Sequence, residues 1–138
     1  MAPEKRARQT AEAIGLVASI DSALRDCDYG QWSGRSLADL GEPESDALAT
    51  WMTDPQAAPH GGESLAGTIR RVADWLELHA NDRMRLLAIS HPAVIRAAIV
   101  HVLGAPAASF WHIDVPPLGL VRMCYDGRRW TLVAGSKA

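Results

Sequence analysis

Apolar positions recur along this chain with two spacings, and the changes between them mark its elements. In residues 3–15, Ala7, Ala11 and Ile14 fall on one face, Pro3 suits a first turn and Gly15 supplies a stop, so the spacing predicts a helix. The run LVASIDSALRD mixes its periods and predicts a short strand ending near Leu24. CDYGQWSGRSLADLGEP, rich in glycine and aromatic residues, reads as an ordered loop. ESDALATWMTD reads as a short helix stopped by Pro55, and PQAAPHGG as a second loop. The clearest helix is ESLAGTIRRVADWLELHAN, where Leu65, Ile69, Val72, Trp75 and Leu76 share a face and Glu63 places negative charge at the start.

RLLAIS is a short apolar run of the kind that forms a buried parallel strand. It leads directly into PAVIRAAIVHVLG, an apolar helix closed by Gly104. Strand, turn and helix in this order form the core of an α/β unit. SFWHIDV, GLVRMCYD and RRWTLVAG read as three further strands, with DGRR as a hairpin turn between the last two. There is no internal repeat, low-complexity tract or linker, so residues 1–138 read as a single α/β domain.

Composition narrows the partners. Fourteen basic and sixteen acidic residues leave a net charge of −2, which argues against a nucleic acid or a membrane surface. No apolar run reaches membrane-spanning length, and the charged, helical start is unlike a signal peptide. Cys27 and Cys124, with no CxxC spacing, read as reduced structural thiols in a cytoplasmic protein.

Four stretches could carry chemistry. In LLAISHPAVIRAA, His91 falls between a strand end and a helix start, where sheet ligands bind and free N–H groups meet anions. Pro92 keeps His91 out of α geometry, so His91 either aims at an anion or simply caps the helix. In HGGESL, two glycines permit close backbone approach and Glu63 follows. A carboxyl there can give a proton to a leaving oxygen if its pKa is raised, or can be an ordinary helix-start acid. In KRARQT, Arg6 and Thr10 share a face, and Arg6 is either a phosphate ligand or part of a solvated basic face. In DYGQWSG, Tyr29 and Trp32 either wall a pocket or pack a loop. His79, His101 and His112 sit where a structural role suffices.

Taken in order, PEKRARQTAEAIG, LRDCDYGQWSGRSLADL, WMTDP, PHGGESLAGTIRRVADWL, LLAISHPAVIRAAIVHVLG and FWHIDVPP resemble the histidine phosphatase superfamily, which includes the phosphoglycerate mutases and many small phosphatases. The resemblance runs through nearly the whole chain. It implies a three-layer αβα sandwich with the site at the carboxyl edge of the sheet. It also implies a phosphohistidine mechanism with no metal or cofactor, acting on a small phosphorylated metabolite or inorganic phosphate. By resemblance Arg6 grips the phosphoryl group, His91 contacts its oxygens in the transition state, and Glu63 is the general acid. Tyr29 and Trp32 stand at the substrate entrance, and the short loops fit a small phosphatase better than a glycolytic mutase.

The family's nucleophile is a histidine in an Arg-His-Gly motif, and no such tripeptide occurs in these residues. His60-Gly61 follows Pro59 in a loop and is not a substitute. Pro92 stands where the family has glycine, which removes one backbone N–H from any phosphate contact. The portion matching the family's first strand, first helix and second strand is thus expected to be missing. RLLAIS would then expose an apolar edge that invites pairing. Three outcomes follow as expectations: a longer natural protein, a homodimer that fills the gap, or a reorganised non-catalytic relative that binds phosphate or serves assembly without turnover.

Overall fold

The computed structural model describes residues 1–135. Five α-helices stand among them: α1 (Lys5–Ala13), α2 (Leu37–Leu40), α3 (Ser45–Thr53), α4 (Leu65–His79) and α5 (Pro92–Leu103). Strands β1 (Arg122–Tyr125) and β2 (Trp130–Val133) form the one sheet of the described residues, an antiparallel hairpin with Arg122 opposite Val133 and Tyr125 opposite Trp130. The chain is thus helical with a small sheet, in keeping with an α/β content.

The helix ends follow local chemistry. Ser64 caps α4 by accepting the Gly67 N–H at 3.0 Å, which satisfies one of the free donors of the first turn. Pro92 opens α5, and Gly104, with φ of 58°, closes it in the left-handed region. The hairpin turn is tied by Asp126, whose Oδ1 accepts the N–H groups of Arg128 and Arg129 at 2.8 Å each.

Helices α4 and α5 pack against each other and divide two apolar clusters between them. Leu24, Val72, Leu76, Val94 and Ala97 belong to the first; Trp32, Trp51, Leu65, Ala93 and Phe110 belong to the second. Ile69 packs against both. The helical face read from the sequence is the buried one, since Leu65, Val72 and Leu76 are inaccessible and Ile69 and Trp75 half-buried. Each fully buried aliphatic side chain of this kind contributes about 1.5–3 kcal/mol.

Three expected strands are not strands. Within residues 16–24, Asp21 accepts the Ala23 N–H at 2.9 Å and winds Ser22–Leu24 into a 3₁₀ turn. A short acidic side chain here outcompetes the ladder for the backbone. Residues Ala107–His112 also form a 3₁₀ turn. A strand would send the neighbours Phe110 and Trp111 to opposite faces, whereas the turn packs both into the second cluster. Residues 85–90 carry no ladder among the described residues. Of their backbone groups only the Ile89 carbonyl is engaged, accepting from the Ala2 N–H at 2.8 Å, while the Ser90 hydroxyl donates to the Leu24 carbonyl at 2.7 Å, and Leu86 and Leu87 are 56% and 52% exposed. A buried parallel strand needs a neighbour on each side, and the single bond from Ala2 supplies no ladder.

Candidate functional site

Two loops meet beside the start of α4 and set the geometry of everything around them. The Glu63 N–H donates to the Asp28 carbonyl at 2.7 Å, and the Gln31 N–H donates to the His60 carbonyl at 2.9 Å. Glycine is required on both sides of this contact: a Cβ on Gly62 would overlap the Asp28 carbonyl, and one on Gly30 the His60 carbonyl. His60 lies beneath the contact, 1% exposed, with Trp51 and Trp32 ring centroids at 4.6 and 4.9 Å. Its Nδ1 accepts the Gly62 N–H at 2.9 Å. Nδ1 therefore carries no proton, and the ring is neutral with its hydrogen on Nε2. Burial lowers its pKa accordingly.

Glu63 is drawn away from any open surface. Its carboxylate receives two hydrogen bonds from Arg71, Nε to Oε2 at 2.9 Å and Nη2 to Oε1 at 2.7 Å, and a third from the Thr68 hydroxyl at 2.9 Å. Burial alone would raise this carboxyl. The bonds from Arg71 and Thr68, with the charges of Arg71 and Arg25, outweigh it and hold Glu63 below the ordinary glutamate range. Arg71 also donates to the carbonyls of Ala23 at 2.7 Å and Arg25 at 2.9 Å. The pair thus ties α4 to the segment that precedes Asp26. The sequence reading expects Glu63 as the general acid; in the structure its carboxylate is held by Arg71 and Thr68, with a side chain 14% exposed.

An open cavity of about 460 Å³ lies on the other side of that segment. Glu4, Lys5, Arg6, Asp26, Cys27, Tyr29, Ser33, Gly34 and His91 line it. Arg6 reaches it from the first turn of α1, exposed and with no ion pair among the described residues. His91 stands at the N-cap of α5 with φ −107° and ψ 157°, as Pro92 dictates. Its ring makes no capping bond. It faces two carboxylates instead, with Nε2 at 3.0 Å from Glu4 and Nδ1 at 3.7 Å from Asp26. Burial raises the Asp26 carboxyl above the ordinary aspartate value, and this outweighs the opposing charge of His91. Burial likewise pushes Cys27 up to about 11, so that it remains a thiol, and raises the Tyr29 hydroxyl.

The sequence-predicted site is therefore brought together in part. Arg6, His91 and Tyr29 share one cavity, and Glu63 lies outside its lining. Trp32, expected at the substrate entrance, is buried in the second cluster at 6% exposure and packed edge-on to Trp51. Asp26 and Glu4 escaped the sequence reading. Asp26 sits in a glycine- and aromatic-rich loop, and Glu4 resembles any acid before a helix. Thr10, read as sharing a helix face with Arg6, donates its hydroxyl to the Arg6 carbonyl at 3.0 Å and serves the helix backbone. His79 pairs with Asp82 at 2.6 Å and His101 with Glu77 at 3.0 Å, both near the surface. Among the described residues, no helix is long and apolar enough to cross a membrane.

An arginine, a histidine at a helix start and two carboxyl groups thus line one cavity. The model of the histidine phosphatase superfamily (branch 1) matches residues 1–137, and the chain belongs to that superfamily. It is 35% identical over 118 residues to adenosylcobalamin/alpha-ribazole phosphatase of Salmonella typhimurium, covering 80% of this chain and 58% of that protein. The chain thus spans a little over half the length of that curated relative. Among solved structures, alpha-ribazole phosphatase from Shigella flexneri superposes with a TM-score of 0.72 at 26% identity, covering 92% of this chain and 64% of that one. Mycobacterial glucosyl-3-phosphoglycerate phosphatase, solved with inorganic phosphate, superposes with a TM-score of 0.69 at 23% identity over 93% of this chain and 69% of that one.

Proposed function

We propose that the cavity binds the phosphoryl group of a small phosphomonoester, with Arg6 and His91 as its anchors and Asp26 as the acid for the leaving oxygen. The observation that carries this is the convergence of Arg6, His91 and a carboxyl of raised pKa on one cavity, in a member of the superfamily. Charge on the equatorial oxygens grows as a phosphoryl group is transferred. Fixed cations stabilise it, and a protonated carboxyl supplies the proton that the departing alkoxide needs. Asp26 fits that part better than Glu63 because burial favours its protonated form. The phosphatase activity named for one relative and the phosphate bound in another support a phosphorylated ligand here.

Covalent transfer also needs a nucleophile, and these residues contain no Arg-His-Gly motif. The reading for these 138 residues is accordingly phosphate binding without turnover. The test is titration of the purified chain with inorganic phosphate, beside hydrolysis of an aryl phosphate over a range of pH. Binding that Arg6→Ala and His91→Ala each weaken, without hydrolysis, is the expected result. Binding indifferent to both substitutions would remove the cavity from consideration. Hydrolysis lost in His91→Ala would overturn the binding-only reading and make His91 the first candidate for the nucleophile.

The three-layer αβα sandwich belongs to this proposal as well, with residues 85–90 as a central strand once a neighbour pairs with them. The exposed Leu86 and Leu87 favour such pairing. A homodimer formed there predicts a doubled mass in light scattering, reversed by Leu87→Lys. A monomeric mass for the unsubstituted chain at all concentrations would exclude it.

A further inference from the structure

Glu4 holds the cavity's donors before any ligand arrives. Its Oε1 accepts the Asp26 backbone N–H at 2.9 Å, and its Oε2 lies 3.0 Å from His91 Nε2. Glu4, Asp26 and His91 all line the same cavity. One carboxylate therefore occupies two donors from two separate segments, the manner in which a bound oxyanion would be held. The Glu4 carboxyl stays ionised: burial would raise it, but the Asp26 N–H and the His91 ring outweigh that. The His91 side chain is only 10% exposed, whereas that of Glu4 is 37% exposed. His91 is thus fixed, and Glu4 is the partner free to swing into solvent. Its backbone, extended at the N-cap of α1, need not move for that to happen.

From this geometry we infer that Glu4 is an internal competitor for the anion, setting which ligands the cavity accepts. The inference rests on the cavity being a phosphate site. Two anions cannot share the His91 Nε2–H, and like charges at contact repel. A ligand must displace the Glu4 carboxylate or remain outside. The titratable groups that face it are Lys5 and Arg6 on the cationic side, the Asp26 carboxyl opposite, and His91 between them. A dianionic phosphomonoester draws on Lys5, Arg6 and His91 together and outcompetes a single carboxylate. A monoanionic phosphodiester carries half that charge and does not. Glu4 would thereby discriminate between ester classes by charge, separately from the shape of the pocket.

The experiment is calorimetric titration of wild type, Glu4→Gln and Glu4→Leu with inorganic phosphate and with dimethyl phosphate, at a pH where phosphate is largely dianionic. Nitrogen-15 shifts of the His91 ring report independently that the Glu4 contact has been altered. Far-UV circular dichroism shows that each variant is folded. The expected result is roughly tenfold tighter phosphate binding in both variants, with dimethyl phosphate binding measurable only when Glu4 is neutralised. Phosphate affinity within twofold of wild type, or weaker, in the folded variants would overturn the inference and leave the phosphate site standing. It would mean that Glu4 orients His91 for the ligand. Absence of phosphate binding in all three proteins, Glu4→Gln included, would remove the inference together with the phosphate site itself.

Discussion

Replacing Arg71 with alanine is expected to destabilise the fold strongly and to do so through Glu63. The substitution removes both hydrogen bonds of the pair and strips the donor from the Ala23 and Arg25 carbonyls. It leaves a carboxylate whose side chain is only 14% exposed. Breaking a buried pair from one side costs about 3–5 kcal/mol. Arg25 remains 3.6 Å from Glu63, but its side chain is 44% exposed and compensates weakly. A loss of about 3 kcal/mol follows, more than a hundredfold in the folding equilibrium and about 10 °C in Tm for a chain of this length. Urea denaturation followed by circular dichroism measures it. The double substitution Arg71→Met with Glu63→Leu is expected to recover much of the loss, because no charge is then left buried. The pH dependence gives a second reading. Since the folded Glu63 pKa is depressed, its contribution is complete above the ordinary glutamate value of 4.5 and is lost as pH falls through the folded value. Arg71→Ala should flatten that acid limb. A midpoint shift in Arg71→Ala worth under about 1 kcal/mol would falsify the structural role assigned to the pair, since that is the range of an exposed ion pair.

Other expectations concern the same region. Asp26→Asn should be at least as stable as wild type at pH 7, because the folded pKa of Asp26 is raised above 3.8 and stability is lost as pH rises through it. A clear loss of stability in that variant at neutral pH would contradict the raised pKa, and the same variant tests the proposed acid in any form that turns over. His60, neutral and depressed below 6.5, contributes stability that is present above that pH and is lost as pH falls through its folded value. His60→Gln should weaken that part of the pH–stability profile, and an unchanged profile would place the titration elsewhere. Gly62→Ala should cost about 1–3 kcal/mol in urea denaturation by forcing the Asp28 and Gly62 backbones apart; a neutral result would mean the loops are not in contact.

What the sequence showed depended on how local the cause was. The face of α4, the Pro92 start and Gly104 end of α5, and the hairpin between Tyr125 and Trp130 are set by residues within a turn or two, and all were legible. Residues 85–90 have strand composition, but a strand exists only with partners, and composition cannot supply them. Ser22–Leu24 and Ala107–His112 became turns because Asp21 captured a backbone N–H and because Phe110 and Trp111 both had to reach one cluster. The site divides in the same way. His91 announced itself by its place between an apolar run and Pro92. The pairing of Glu63 with Arg71, eight residues on, and the place of Asp26 beside His91 were not legible, because each depends on contacts between separate segments.

The five tryptophans also divide between the two clusters. Trp75 and Trp130 pack against the first, while Trp32, Trp51 and Trp111 lie in the second, with Trp51 ring centroids 6.4 Å from Trp32 and 6.3 Å from Trp111. Aromatic rings held in fixed packing give near-ultraviolet dichroism that vanishes when the packing loosens, so the second cluster, with three indoles, contributes to that signal. The molecule carries two intrinsic optical probes, one per half of its core, joined through Ile69. If the halves melt together, both signals fall along one curve, as two-state unfolding requires. If the cluster beneath the loops loosens first, its three indoles lose their signal while Trp75 and Trp130 still report a folded helix pair.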